Sequence, residues 1–272
     1  MASPTEITPA QLVRLIGTPN APVLIDVRTD EDFAGDPRPI PGAVRHHYRD
    51  TDALLPVLAG RSAVLYCQKG FKISQGAAAL LRARGITAET LQGGQFGWRD
   101  AGLPMVTASK LPKPNAQGET LWVTRHRPKV DRIACPWLIR RFVDPHAQFL
   151  FVEPSQVMVV AEKFDATPFD VEDVFWSHRG DRCTFDTMLD EFGLSFDALD
   201  RLATLVRGAD TNRHDLAPEA AGLLAVSLGL SRMYRDDLAQ LEAGLGLYDA
   251  FYRWARDATS ETHTWPTPSG AG

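Results

Sequence analysis

The stretch SAVLYCQKGFKIS, residues 62–74, joins a short apolar run to a polar loop and to the first residues of a helix. The apolar run has the length of a buried strand. The next segment, SQGAAALLRARG (74–85), is rich in Ala and Leu and ends at Gly85, which is typical of a helix and its C-terminal cap. This stretch therefore predicts a strand, a loop and a helix, the repeating unit of a parallel α/β sheet.

The flanking residues continue the alternation of strands and helices. ITPAQLVRLI (7–16) predicts a helix with Thr8 as its N-cap and Pro9 in its first position. PVLIDVR (22–28) and ITAETLQGG (86–94) each contain a predicted strand. We therefore expect a parallel sheet with helices on both faces.

Cys67 stands at the end of a predicted strand, which is where an open α/β sheet ordinarily binds its ligand. The N–H groups of the loop and the dipole of the next helix would favour a thiolate at this position. Gly70 allows a tight loop, and Lys69 and Lys72 add positive charge. A thiolate in such a loop suits attack on an anionic sulfur, phosphorus or arsenic compound. The alternative is that Cys67 is a small core residue at the end of a strand.

The residues of this loop resemble the six-residue active loop of the rhodanese superfamily: Cys67, Gln68, Lys69, Gly70, Phe71 and Lys72. Supporting motifs of that family are present in order: Asp26-Val27-Arg28, the turn Ile40-Pro41-Gly42-Ala43, and Gly93-Gly94 with Trp98. The resemblance extends from about Ile7 to Val106, nearly the whole of such a domain.

This resemblance implies a persulfide mechanism that needs no cofactor. Cys67 would take the outer sulfur of a small anionic donor such as thiosulfate and pass it to a thiol or to cyanide. The family usually has Arg where Lys72 stands, and Lys lacks the planar bidentate contact to an oxyanion, so the identity of the donor stays open. Asp26 and Arg28 are expected to form a structural pair that steadies the loops.

The second half of the chain follows a segment rich in turn-forming residues, ASKLPKPNAQGE. Two short strand patterns and a series of amphipathic helices come after it. DRIACPWLIRRF (131–142) is expected to be helical, with Pro136 tolerated only near the first turn. The predicted organisation is an α/β domain at 1–107, a linker at 108–119, a second, mainly helical domain with a few short strands at 120–258, and a flexible tail at 259–272.

Five residues of the second half are candidate ligands of a transition metal ion: His178, Cys183, Asp131, Cys135 and Asp210. Asp131 and Cys135 are four residues apart and would share one face of a helix. Cys, His and carboxylate side chains suit Zn, Fe or Cu. The spacings match no compact metal-binding signature, so the alternative of a buried Cys135 and an Asp210 helix cap stays open.

The strings TRHRPKVDRIACPWLIRRFVDPHAQFLFV (124–152) and FWSHRGDRCTFD (175–186) closely resemble the C-terminal domain of the chromate-resistance protein ChrB family. The family's own N-terminal region is replaced here by the rhodanese-like sequence. The resemblance links the domain to chromate and strengthens the metal hypothesis, with His178 as its strongest candidate. Three arginines of a basic segment are candidate contacts to an oxyanion such as chromate: Arg132, Arg140 and Arg141. The alternative is that these arginines pair with acidic residues of the same domain.

Composition narrows the class of protein. The chain has 272 residues, 44% of them hydrophobic, and a net charge of −5, divided into +2 for residues 1–110 and −7 for 111–272. Neither half has the basic excess of a nucleic-acid-binding protein, and no apolar run is long enough to span a membrane. The first residues lack the pattern of a secretory signal, and three cysteines cannot all pair, so we expect a reduced cytoplasmic protein.

The sequence favours a cytoplasmic sulfurtransferase whose second domain binds a metal ion or an oxyanion. The alternative is a chromate- or metal-responsive sensor in which Cys67 is a redox switch. DNA-binding regulation is a third option, and the acidic second half argues against it. The oligomeric state stays open.

Overall fold

The computed structural model describes residues 5–116 and 118–261. Its first part contains five strands: β1 Glu6–Ile7, β2 Val23–Asp26, β3 Ala43–Arg45, β4 Ala63–Tyr66 and β5 Ala88–Leu91. These strands form one sheet in the order β1-β5-β4-β2-β3, and every neighbouring pair is parallel. The predicted parallel α/β sheet is therefore confirmed.

The α-helices of this part are α1 Pro9–Leu12, α2 Asp30–Gly35, α3 Lys72–Ala83 and α4 Gly94–Asp100. Thr8 caps α1 as predicted, because its hydroxyl accepts the N–H of the third helical residue. Successive strand residues point to opposite faces of the sheet. Ile25 shares one core with Leu81 of α3, whereas Leu24 shares the opposite core with Trp98 of α4. Helices therefore cover both faces.

The second part begins with a small parallel sheet. Its strands are β6 Leu121–Arg125, β7 Gln148–Val152 and β8 Thr167–Pro168, in the order β7-β6-β8. The α-helices are α5 Asp131–Leu138, α6 Val157–Phe164, α7 Thr184–Phe192, α8 Asp197–Asp210, α9 Ala220–Met233 and α10 Asp237–Asp257. This part is mainly helical with a few short strands, as predicted.

Pro136 departs from its predicted place. The sequence suggested that proline is tolerated only in the first turn, yet Pro136 lies in the second turn of α5. A proline there removes one backbone hydrogen bond and crowds the preceding turn. The chain continues without a break into a π-helical turn at Ile139–Val143, closed by the Asp144 N–H donating to the Ile139 carbonyl at 2.8 Å. Complete burial of the flanking residues compensates for the local cost.

The two parts are packed against each other through one continuous apolar core. Phe142, from the π-helical turn, lies directly against Gly17 of the first part, where a Cβ atom would meet the ring. The Gly42 N–H donates to the Phe142 carbonyl at 2.7 Å. A cavity of about 740 Å³ remains between the parts, with Arg140 and Arg141 among its lining residues.

The segment predicted as a linker, 108–119, contains a short 3-10 helix at Ala108–Lys110. Just before it, the Thr107 N–H donates to the Phe192 carbonyl at 2.9 Å, which ties the connection to α7. Most of the tail predicted at 259–272 lies outside the described residues. None of the described helices is both long enough and apolar enough to cross a membrane.

Candidate functional site

Cys67 follows β4 directly and stands in the loop that leads into α3. The residue is 5% exposed. Its Sγ atom lies 3.3 Å from the Ser74 hydroxyl, and that hydroxyl also lies within donating distance, 3.2 Å, of the Phe71 carbonyl. The sulfur therefore faces the first turn of α3, as the sequence predicted.

Two glycines determine the path of this loop. Gly70 has a φ of +77°, and a Cβ atom there would lie 2.6 Å from the Gly94 nitrogen and 2.7 Å from the Leu91 carbonyl oxygen. Gly94 has a φ of +58°, and its Cβ atom would collide with the Cys67 carbonyl oxygen. Backbone packs on backbone at this point, so larger residues do not fit.

The carbonyl groups of the loop are turned towards α4. The Gln95 N–H donates to the Cys67 carbonyl and the Phe96 N–H donates to the Gln68 carbonyl, each at 3.0 Å. Within the described parts of the chain, the backbone N–H groups from Gln68 to Ser74 donate to no protein acceptor. These N–H groups and the positive end of the α3 dipole form a cradle suited to an anion.

The side chains of the loop add charge around this cradle. Lys69 and Lys72 are exposed, and neither forms an ion pair with any described residue. Gln68 is half-buried, and the Phe71 ring is 62% exposed at the rim. The loop that holds Cys67 therefore carries two positive charges without an ionic partner among the described residues.

Asp26 and Arg28 form the structural pair expected from the sequence. Arg28 Nη2 lies 2.6 Å from Asp26 Oδ2, and both side chains are completely buried. Arg28 Nη1 also donates to the Asp36 carbonyl at 2.7 Å, which ties the end of β2 to the end of α2. The pair is positioned to steady the loops around Cys67.

A second cluster of polar groups lies in the helical part. His178 Nε2 lies 3.2 Å from Asp210 Oδ2, 3.4 Å from Asp170 Oδ1 and 3.6 Å from Asp131 Oδ2. Asp131 is the first residue of α5, Asp210 is the last residue of α8, and the other two lie between β8 and α7. Three of these four residues were predicted as ligands from the sequence.

The buried end of this cluster is Asp131, which is fully enclosed. Its Oδ2 atom accepts the Thr184 N–H at 2.6 Å, whereas its Oδ1 atom has no hydrogen-bond partner among the described residues. Burial, and then the Asp210 and Asp170 carboxylates, raise the pKa of Asp131 well above its usual range. Hydrogen bonds to Asp170 and Asp210 raise the pKa of His178 to about 10.

The backbone around Asp131 is unusual. Val130 has a φ of +39°, a conformation that a β-branched residue rarely adopts. It is held there because its N–H donates to the Ser227 hydroxyl and its carbonyl accepts the Tyr248 hydroxyl, both at 2.9 Å. Asp170 also has a left-handed φ, +52°. Contacts with α9 and α10 therefore fix the direction of the Asp131 side chain.

Cys135 and Cys183 lie beside Asp131 but are not among the ligand atoms that the structure brings together, which belong to Asp131, Asp170 and His178. Both thiols are completely buried and belong to the apolar core. Burial, and then the nearby Asp131 carboxylate, raise the pKa of each thiol well above its ordinary value. The sequence placed both among the candidate ligands because residue type and spacing do not reveal that their side chains point into the core.

Asp170 is the member of the cluster that sequence reasoning missed. It lies in the string ATPFDVED, with Glu172 and Asp173 close by, so spacing alone could not select it. What could have pointed to Asp170 is its position just after β8, because the carboxyl ends of parallel strands commonly hold functional side chains.

The arginines proposed as oxyanion contacts all have acidic partners. Arg132 Nε lies 3.3 Å from Asp170 Oδ2, and Arg140 Nη1 lies 2.5 Å from Glu242 Oε1. Arg141 makes a two-pronged contact with Asp249 at 2.8 and 2.9 Å. All three arginines are thus paired with acidic side chains, which is the alternative that the sequence left open. Chromate binding by these residues stays a prediction.

Several solved structures are similar to part of this chain, including those of two proteins. The first is a thiosulfate sulfurtransferase from Pseudomonas aeruginosa, with 28% identity, 37% of this chain and 19% of that chain covered, and a TM-score of 0.33. The second is a rhodanese-related protein from Thermoplasma volcanium, with 20% identity, 37% and 96% covered, and a TM-score of 0.32.

Two curated proteins are similar in sequence. Protein ChrB of Cupriavidus metallidurans (strain CH34) is 36% identical over 172 residues, which is 58% of this chain and 51% of that protein. An uncharacterized protein of Synechocystis sp. (strain PCC 6803) is 34% identical over 126 residues, 41% of this chain and 64% of that protein. The chain thus spans about half the length of the first relative and 64% of the second.

Two family models match successive parts of the chain. The model described as Rhodanese-like domain matches residues 8–101, and the model described as ChrB, C-terminal domain matches residues 122–255. Both resemblances suggested by the sequence motifs are therefore confirmed. The chain joins a rhodanese-like domain, at residues 8–101, to a ChrB C-terminal domain, at residues 122–255.

Proposed function

We propose that this protein is a rhodanese-type sulfurtransferase that carries sulfane sulfur as a persulfide on Cys67. The observation that carries the proposal is the loop geometry. The thiol follows β4, faces the N-terminus of α3, and is surrounded by backbone N–H groups that have no protein acceptor among the described residues. Such a site suits a donor that is anionic and leaves as an anion.

The first step is attack on the donor. The Cys67 thiolate attacks the outer sulfur of thiosulfate, so that a new S–S bond forms and the S–S bond of thiosulfate breaks. The electron pair of the broken bond leaves with sulfite. The loop N–H groups and the uncompensated charges of Lys69 and Lys72 stabilise the departing anion. No external oxidant or reductant is required.

The second step returns the enzyme to its starting state. A thiolate or cyanide attacks the outer sulfur of the Cys67 persulfide, the new bond to sulfur forms, and the Cys67 sulfur leaves as a thiolate. The Ser74 hydroxyl, 3.3 Å from Sγ, is placed to donate a hydrogen bond to that thiolate. The same N–H groups receive the negative charge in both steps.

The acceptor and the cellular setting belong to the proposal as well. The exposed Phe71 ring at the rim offers an apolar surface that a small thiol acceptor could contact. A reducing compartment, the cytoplasm, is supported by the three free cysteines. The link to chromate is what the resemblance to the chromate-resistance ChrB family implies, and it is supported by the matching ChrB C-terminal model and by the similarity to Protein ChrB.

The experiment is a turnover assay with thiosulfate and cyanide that measures thiocyanate. We expect the wild-type protein to form thiocyanate and Cys67→Ser to form none, because an alcohol at this position cannot accept sulfur from the donor. Cys135→Ala is the matched control, since it removes a free thiol outside the loop, and we expect it to keep the wild-type rate. Equal rates in the Cys67→Ser and wild-type proteins would contradict the proposal.

The sensor alternative makes a different prediction in the same experiment. A redox switch at Cys67 would respond to oxidant with a change in structure and would produce no thiocyanate above the Cys67→Ser background. Sustained turnover therefore favours the enzyme, and its absence with every sulfane donor tested favours the sensor.

A further inference from the structure

We infer that Asp131, Asp170 and His178 form a binding site for a divalent first-row transition metal ion, with Mn²⁺ as the representative ion. The ligand atoms would be Nε2 of the histidine and one carboxylate oxygen from each of these two aspartates, and Asp210, whose Oδ2 lies 3.2 Å from Nε2, would add negative charge beside the ion. This site lies in the ChrB C-terminal domain and is independent of the sulfur chemistry at Cys67.

The donor atoms of Asp131, Asp170 and His178 all lie within 4.8 Å of one another, close enough to share one ion. His178 Nε2 lies 3.4 Å from Asp170 and 3.6 Å from Asp131, and 3.2 Å from the neighbouring Asp210. With metal–ligand bonds of about 2.1 Å, neighbouring ligands lie about 3.0 Å apart in an octahedron and about 3.4 Å apart in a tetrahedron. Hydrogen bonds from nitrogen to oxygen are normally about 2.7–3.2 Å long, so two of the three contacts are longer than good hydrogen bonds.

A second, independent observation is that one oxygen of the buried Asp131 carboxylate lacks a hydrogen-bond partner among the described residues. The side chain is fully buried, and this oxygen is Oδ1. A buried carboxylate oxygen without a partner is costly, because it has lost water and gained nothing in exchange. The backbone of Val130 is held in an unusual conformation that keeps this carboxylate in place. Oδ2 of the same carboxylate faces His178, so a cation bound by both oxygens of Asp131 would satisfy Oδ1.

Lys and Arg side chains compensate the negative charge of this cluster only in part. Arg125 Nη2 and Arg132 Nε both lie 3.3 Å from Oδ2 of Asp170, the oxygen that does not face His178. No Lys or Arg in the described parts of the chain lies within ion-pair distance of Asp131 or Asp210. Among the described residues, His178 is therefore the one ionic partner of these two carboxylates, and a divalent ion would balance both.

The donor set selects the class of metal. Carboxylate oxygens and one imidazole nitrogen suit a divalent ion of intermediate hardness, whereas Cu(I) prefers thiolate ligands. Cys135 and Cys183 are buried beside Asp131 and are not among the mutually close ligand atoms, so the softer thiolate site allowed by the sequence is disfavoured. The His178 side chain is 40% exposed, which gives solvent or a small anion access to the remaining coordination positions.

The competing explanation is a protonated His178 that serves as the cation by itself. A single Nε2–H group cannot make good hydrogen bonds to three carboxylates at once. It also leaves the Asp131 Oδ1 atom without a partner. The two explanations differ in whether the protein binds a metal ion in a fixed ratio.

The test is metal binding by the full chain after chelation and dialysis, titrated with MnCl₂ and measured by equilibrium dialysis. We expect one tightly bound Mn²⁺ per chain in the wild-type protein. His178→Gln and Asp170→Asn should each weaken binding at least about 10-fold. Asp210→Asn, at a partly exposed position, gives the same information if Asp170→Asn does not fold.

Two controls make the outcome specific. His126→Gln removes another histidine that lies 3.1 Å from a carboxylate, that of Glu153, and should bind Mn²⁺ like the wild-type protein. Cys67→Ser should also bind like the wild-type protein, because the site does not use the sulfur loop. Absence of stoichiometric binding in the wild-type protein would overturn the inference, and so would unchanged affinity in both His178→Gln and Asp210→Asn.

Discussion

The three cysteines show how strongly the surroundings of a residue decide its chemistry. Cys67 stands in a loop with free N–H groups and two uncompensated lysines, whereas Cys135 and Cys183 are enclosed in the apolar core. Burial, and then the nearby carboxylate of Asp131, raise the pKa of both core thiols well above its ordinary value. Only the thiolate is a good nucleophile, so the core thiols should be inert.

This contrast predicts selective alkylation. In the folded protein at neutral pH, iodoacetamide should modify Cys67 at least about 10-fold faster than Cys135 or Cys183, because the core thiols are buried and protonated. Peptide mapping by mass spectrometry measures the three rates. In urea the difference should disappear. Equal modification of all three residues in the folded protein would contradict the assignment of Cys67 as the reactive thiol.

A second prediction at the residue scale concerns Gly70. Gly70→Ala places a Cβ atom 2.6 Å from the Gly94 nitrogen in a left-handed backbone conformation. We expect it to abolish sulfur transfer and to lower the free energy of unfolding by about 2 kcal/mol or more.

Gly85→Ala is the matched control for this prediction. Gly85 has a φ of +81°, but a Cβ atom there would meet nothing within 4 Å. Its cost should be only the backbone strain of about 1–2 kcal/mol, with sulfur transfer intact. Urea unfolding and the thiocyanate assay measure both effects. If Gly70→Ala and Gly85→Ala have the same unfolding free energy and the same rate of thiocyanate formation, close packing of the loop on Gly94 does not determine the geometry of the site.

At the scale of elements, the link between α2 and α4 can be tested by pH. Asp36 follows α2 and accepts hydrogen bonds from Arg38 Nε at 2.7 Å and from Gln95 Nε2, in α4, at 2.9 Å. The hydrogen bond from Arg38, and less strongly that from Gln95, lower the pKa of Asp36 from 3.8 to about 2, against the opposing effect of burial. The ionised carboxylate is therefore the form that stabilises the fold.

We predict the following dependence on pH. Because the folded pKa lies below the unfolded one, the stabilisation is present above about pH 4 and is lost as the pH falls towards about 2. Asp36→Asn should therefore be about 1 kcal/mol less stable than wild type at pH 7, and the difference should shrink at pH values below about 4.

Asp52→Asn is the control, because its ion pair with Arg84 is largely exposed and should contribute little. Urea unfolding at several pH values gives the differences. If the difference in unfolding free energy between Asp36→Asn and wild type is the same at every pH tested, the ionised Asp36 carboxylate does not stabilise the contact between α2 and α4.

The elements themselves were largely predictable from sequence, because local patterns determine them. The Thr8 cap, the helix ending before Gly85 and the strand leading to Cys67 all depend on neighbouring residues. The helix over 131–142 was predicted, but the place of Pro136 in its second turn was not, since tertiary burial overrides the local preference. The Cys67 loop could likewise be found from its motif, because its parts are close in sequence.

The cluster around His178 shows where sequence reasoning stops. Its four members come from α5, α8 and the segment between β8 and α7, and only the three-dimensional packing brings them together. Residue type and spacing selected three members, missed Asp170, and included two thiols that point into the core. When residues are this far apart in sequence, the fold decides where their side chains point, and local spacing does not.

At the scale of the whole molecule, the rhodanese-like part and the ChrB-like part of the chain share one apolar core. Phe142 is completely buried, packs edge-on against Tyr252 with ring centres 5.5 Å apart, and lies against Gly17 of the first part. The sequence predicted two units joined at 108–119, and their common core could not be predicted because it depends on contacts distant in sequence.

This packing predicts cooperative unfolding. Phe142→Ala should lower the free energy of unfolding by about 3–5 kcal/mol, because it leaves a cavity in the shared core. Hydrogen exchange should show that amides of β4 and of α8 lose protection together. Phe164→Ala, at an exposed position, should have little effect. Unchanged protection of β4 in the Phe142→Ala protein would mean that the two parts are stabilised independently.

The central claim is that Cys67 carries sulfur, and peptide-resolved mass spectrometry of the protein after treatment with thiosulfate tests it most directly. The account predicts one added sulfur atom on the peptide that contains Cys67, lost again when cyanide is added. It predicts none on the peptides that contain Cys135 or Cys183, which are buried in the core. Sulfur found on either of those residues, or an unmodified Cys67 in an active protein, would contradict it.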